Sequence, residues 1–80
     1  MKCTVKAFGI TRDILGAREV VIELSGIPRV SDFKAELYKR YPQLESLTSL
    51  FIAVNQAYAA DDVELREQDE IALIPPVAGG

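Results

Sequence analysis

The segment Glu70-Ile71-Ala72-Leu73-Ile74 runs directly into Pro75-Pro76. Four apolar residues in succession read as the final strand, with Ile71 and Leu73 facing in and Ile74 left outside. Proline has no amide donor and a fixed φ, so Pro75-Pro76 cannot extend a ladder. The strand therefore stops at Ile74, and the chain leaves it in a stiff, polyproline-like exit. Six residues follow the strand: Pro75, Pro76, Val77, Ala78, Gly79 and Gly80. Fully extended, they reach roughly 20 Å. Ala78, Gly79 and Gly80 add almost no side-chain bulk. A tail that ends at a free Gly80 carboxylate can thread a narrow slot and carry a bare acyl group to another protein. The plain alternative is a frayed terminus; the proline pair directly behind an apolar strand weighs against it. The chain divides accordingly into a domain over 1–74 and a flexible C-terminal tail over 75–80.

Upstream, two kinds of periodicity alternate. In residues 2–8, Cys3, Val5 and Ala7 point to one face and Lys2, Thr4, Lys6 and Phe8 to the other. Phe8 thus falls among lysines on the outer face, an unexpected place for a large aromatic. Cys3 reads as a small buried hydrophobe. Gly9 to Gly16 has room for a helical turn, with Gly16 as its stop. Residues 18–24 again alternate, with Val20, Ile22 and Leu24 inward and Glu19, Val21 and Glu23 outward. The two strands are expected to pair as an antiparallel hairpin with a wide loop. After the Ser25-Gly26-Ile27-Pro28 turn the period changes to that of a helix. Val30, Phe33, Leu37 and Tyr41 form one apolar stripe, Asp32 sits near its start, and Lys39 and Arg40 sit near its end. Ser31 is a candidate N-cap, and Pro42 ends the helix. Leu44, Leu47 and Leu50 punctuate a loop under the helix. Phe51–Val54 reads as a buried strand, Asn55-Gln56 as a two-residue turn, and Ala57–Ala59 as a short return strand. Turns at Asp61-Asp62 and Arg66–Asp69 lead into the final strand.

The order β-β-α-β-β-β predicts an α+β roll: one main helix across a mixed sheet of about five strands. Placing residues 70–74 centrally, beside residues 2–8, is the ubiquitin-like β-grasp arrangement, with the tail extending from the middle of the sheet. It puts Phe8 and Ile74 close together on the face away from the helix, with Tyr58 a third large group there. Scattered surface hydrophobes are common, but a cluster at the root of the tail reads as a partner interface.

Composition narrows the chemistry. Eighty residues with 49% hydrophobic and 26% charged content make one small globule. A net charge of −3 argues against nucleic acid and suits a partner with a basic face. With no histidine and one cysteine there is no internal disulfide and no zinc set. The usual general base near neutral pH is absent as well. No apolar run approaches a membrane span, and no signal-peptide h-region opens the chain. The expected compartment is the cytoplasm, and no bound cofactor is expected.

Phe8-Gly9 with Arg12-Asp13 and Gly16, then Ala53-Val54-Asn55-Gln56, then Asp69 through Gly80 together resemble the small subunit of molybdopterin synthase, among the ubiquitin-like sulfur carriers. The resemblance covers essentially the whole chain, and its C-terminal block is the most specific part. Gln68 departs from it where the family usually has glycine before Asp69, and Arg29 departs where a Ser or Thr helix cap is common. The resemblance implies a non-catalytic, sulfur-donating subunit. An E1-like adenylating enzyme would use ATP-Mg²⁺ to activate the Gly80 carboxylate, and a sulfur donor would convert it to a thiocarboxylate. The tail would then enter the large synthase subunit, in a heterotetramer of two small and two large subunits. There the sulfur would pass to cyclic pyranopterin monophosphate to build the dithiolene for molybdenum or tungsten. Gly80 is then the reacting residue and Gly79 keeps the approach slim. The same activated tail also suits a protein modifier joined to lysines, or a sulfur carrier for thiazole synthesis or tRNA thiolation. A β-grasp binding module with an inert tail is a third class.

Overall fold

The structure, a computed structural model, describes residues 1–47 and 49–75. Its elements are β1 (Lys2–Ala7), α1 (Ile10–Leu15), β2 (Glu19–Glu23), α2 (Val30–Arg40), a 3-10 helix (Pro42–Ser46), β3 (Phe51–Val54), β4 (Ala57–Tyr58) and β5 (Glu70–Ile74). The five strands form one sheet in the order β2-β1-β5-β3-β4. The last strand is therefore central. It runs parallel to β1, with Val5 opposite Ile71 and Ala7 opposite Leu73. It runs antiparallel to β3, with Ile52 opposite Leu73 and Phe51 opposite Ile74. β1 and β2 make the antiparallel hairpin. This is the β-grasp roll read from the element order, with α1 as a short additional helix in the first connection.

The two-residue alternation sends one face of the sheet into the core. Cys3, Val5, Ile22, Ile52, Ile71 and Leu73 are buried there together with Val30, Phe33 and Leu37 of α2. Gly16 closes α1 in the left-handed conformation at φ 74°, its N–H donating to the Arg12 carbonyl.

Three local expectations are corrected. Ser31 does not cap α2; the N-cap is Arg29, whose N–H donates to the Asp32 carboxylate at 2.8 Å. The Val30 and Ser31 amides donate instead to the carbonyls of Val63 and Asp61. The segment before β5 crosses the start of the helix and satisfies donors that a capping hydroxyl would otherwise take. It forms an isolated bridge between Arg29 and Glu64 and buries Leu65, a core residue without any periodic signature. Second, the loop after Pro42 is a 3-10 turn that drives Leu44 into the core. Third, β3 is not buried throughout. Ile52 and Ala53 are buried, but Phe51 stands on the outer face opposite Ile74. Four apolar residues in a row concealed a strand whose two faces differ.

Candidate functional site

The alternation that builds the core also builds the opposite face. Past the end of β1, Phe8 stands outward and is 44% exposed. On β5 the outward residues are Glu70, Ala72 and Ile74. Tyr58 lies opposite Ala53 across the β3–β4 pair. Small side chains separate large ones, and the outcome is an open depression of about 410 Å³. Ala53 and Ala72 lie between walls made by Phe8, Tyr58 and Ile74, and Gln56 and Glu70 supply the polar rim. Beside it, the rings of Phe51 and Tyr58 pack at 5.3 Å between centroids, tilted by 32°. Tyr58 is 72% exposed and Phe51 51% exposed. Together they present an exposed aromatic surface.

The structure thus brings Phe8, Tyr58 and Ile74 onto one surface and adds Phe51. The signal for Phe51 was its parity with Ile74, which becomes visible only once the strand register is known. Near the rim, Lys6 Nζ lies 3.4 Å from Glu70 Oε1. Both groups are well exposed, so the pair contributes little to stability.

Two hydrogen-bonded devices hold this surface in place. Thr11 is fully buried. Its hydroxyl accepts the Phe8 N–H at 2.9 Å and donates to the Phe8 carbonyl, so both polar groups of the Phe8 backbone are tied down. On the other side, Asn55 Nδ2 donates to Asp69 at 2.9 Å, and Asn55 Oδ1 accepts the Glu70 N–H at 3.0 Å. The β3–β4 turn, which carries Tyr58 just beyond it, is thereby bound to the start of β5. Asn55 and Gln56 both have positive φ, 53° and 71°, as the expected two-residue turn requires.

Pro75 continues directly from Ile74. Pro76, Val77, Ala78, Gly79 and Gly80 lie outside the described residues. Cys3 belongs to the core, and burial pushes its thiol pKa up, which keeps it protonated and unreactive. Among the described residues no group of three or more His, Cys, Asp or Glu side chains is arranged to hold a metal ion. Nor is any described helix long and apolar enough to cross a membrane.

Comparison with known proteins gives a consistent result. The sequence pattern of the ThiS family matches residues 5–80. The molybdopterin synthase sulfur carrier subunit of Chlamydomonas reinhardtii is 32% identical over 83 aligned positions, covering all of both chains. Among solved structures, small archaeal modifier protein 1 from Haloferax volcanii superposes with a TM-score of 0.86 at 28% identity, covering the whole of both chains. A chain in the complex of subunits 1 and 2 of molybdopterin-converting factor from Helicobacter pylori gives a TM-score of 0.71 at 27% identity, again over the full length of both chains.

Proposed function

This chain belongs to the ThiS family of ubiquitin-like β-grasp proteins, and on that footing we propose that it is the sulfur carrier subunit of a molybdopterin synthase. The observation that carries this reading is positional. The central strand β5 delivers Pro75 at the edge of the apolar surface formed by Phe8, Tyr58 and Ile74. A partner that docks on that surface meets the root of the tail at the same time. The Chlamydomonas relative, similar over its whole length, supports the carrier role. The Helicobacter complex supports a large-subunit partner.

The chemistry follows from what a C-terminal carboxylate lacks. It is a poor electrophile, because its leaving group would be oxide. In the proposed cycle a Gly80 carboxylate oxygen attacks the α-phosphorus of ATP on an E1-like enzyme, with Mg²⁺ as part of the substrate, and pyrophosphate leaves. Hydrosulfide sulfur from a donor then attacks the acyl carbon. The C–O bond to AMP breaks, and Gly80 becomes a thiocarboxylate. In the large subunit that sulfur bonds to a carbon of the pterin precursor, and the C–O bond at that carbon breaks with its oxygen as the leaving group. Water then cleaves the remaining acyl–sulfur bond and regenerates the carboxylate. Two such transfers complete one dithiolene. This chain contributes the acyl carrier and the docking surface; the partners contribute the pockets and the acid-base groups.

Intact-mass measurement after co-expression with an activating enzyme and a sulfur source tests the proposal. The expected product is heavier by the exchange of one oxygen for one sulfur, and incubation with the large subunit and the precursor returns it to the original mass. A chain that stays unmodified under conditions that activate a known carrier rejects the role. A second reading, a protein modifier, draws on the similarity to small archaeal modifier protein 1. It predicts isopeptide conjugates between Gly80 and lysines of other proteins in the same cells, detectable as branched peptides after proteolysis.

A further inference from the structure

Gly9 lies beside the root of the tail. A Cβ placed on Gly9 would meet Pro75 Cγ at 3.2 Å. Gly16 and Gly26 also have positive φ, yet a Cβ at either meets nothing within 4 Å. At those two positions glycine serves a turn; at position 9 it also makes room for a ring. The Gly9 backbone, at φ 57° and ψ −132°, lies in a region essentially reserved for glycine.

The surroundings hold that backbone still. On one side the buried Thr11 hydroxyl fastens both polar groups of Phe8. On the other, the Gly9 carbonyl accepts the Arg12 N–H at 3.1 Å. Pro75 brings its own restricted φ to this approach. We propose that Gly9 is a positioning residue: its bare Cα is the seat for the Pro75 ring, and this seat sets the direction in which the chain departs from β5 toward a partner's active site. The inference rests on the sulfur-carrier reading and assigns it a residue that docking does not require. Phe8, Tyr58 and Ile74 supply docking, so a disturbed seat should alter turnover and leave docking intact.

The test is steady-state ATP–pyrophosphate exchange by an activating enzyme, using the full chain as substrate. Wild type, Gly9→Ala, Pro75→Ala and the double variant are compared, each with a thermal melt. Gly9→Ala is expected to lower kcat about tenfold with KM within about twofold, because misaiming a reacting group penalises the chemical step more than binding. In the Pro75→Ala background the same Gly9→Ala change should lower kcat no further, while its effect on the melting temperature persists. An equal fall in kcat in both backgrounds, or an unchanged kcat in Gly9→Ala, overturns the seat. Should Gly9→Ala fail to fold, Pro75→Ala decides alone: it is expected to lower kcat with KM unchanged, and wild-type turnover refutes the proposal. A wild-type chain that is never adenylated overturns the carrier reading, and the seat with it.

Discussion

Phe8 shows how one residue separates two roles. It sits at the end of a strand whose inward residues are all core, yet it is 44% exposed and walls the apolar depression. Aromatic anchors at the centre of an interface typically cost about 2 kcal/mol or more on truncation. Phe8→Ala is therefore expected to weaken binding to the large subunit at least about tenfold with little change in the melt. Loss of a core aromatic would instead cost about 3–5 kcal/mol of stability. Calorimetric titration and a thermal melt on the same variant distinguish the two. Cys3 is the opposite case. Its thiol pKa is raised chiefly by burial, so the folded chain holds a proton that the unfolded chain releases in the ordinary thiol range. The resulting contribution to stability is complete below that range and declines as pH rises through it. At neutral pH a thiol reagent should label Cys3 only as fast as the domain opens, and the rate should climb with denaturant. Rapid labelling of the folded protein would place the thiol outside the core.

At the scale of elements, the β3–β4 turn places adjacent residues in opposing energetic positions. Asn55 tolerates its positive φ and spends its side chain on Asp69 and the Glu70 amide. Gln56, at φ 71°, has no such aptitude. Gln56→Gly should therefore stabilise the domain by about 1 kcal/mol, and Asn55→Ala should destabilise it by about 1 kcal/mol or more. Chemical denaturation of the two variants checks the signs. Two shifts in the same direction would contradict this account of the turn. The helix responds differently, because its hold is apolar. Phe33→Ala in α2 removes a ring with no exposed surface, for an expected loss of about 3–5 kcal/mol.

For the molecule as a whole, the sheet carries out two tasks on its two faces. One face packs against α2 and supplies the stability that an 80-residue chain can muster. The other presents the apolar depression, with Pro75 following directly from Ile74 at its wall. Docking and chemistry should then be separable. Deleting Gly80 is expected to abolish sulfur transfer while the chain still binds the large subunit through Phe8, Tyr58 and Ile74. Binding is read by calorimetry and transfer by intact mass. Retained transfer by the truncated chain would refute Gly80 as the acyl carrier.

Periodicity and punctuation alone carried much of this. Alternation assigned Cys3, Val5 and Ala7 to the core and Phe8 to the outside. The helical stripe placed Val30, Phe33 and Leu37, and the proline pair ended β5 at Ile74. These are local properties of backbone geometry, written within a few residues of where they act. The element order also pointed to residues 70–74 lying beside residues 2–8, but the register of the strands was a tertiary matter. So was what depended on it: Phe51 facing outward opposite Ile74, Leu65 buried without a pattern, and the Val63 and Asp61 carbonyls serving the helix start in place of Ser31. The approach of Pro75 to Gly9 is of the same kind. Sixty-six positions separate the two residues, and the parallel pairing of β1 with β5 brings them together. No local signal can encode such a meeting, because the chain must close a long loop before either residue has the other as a neighbour.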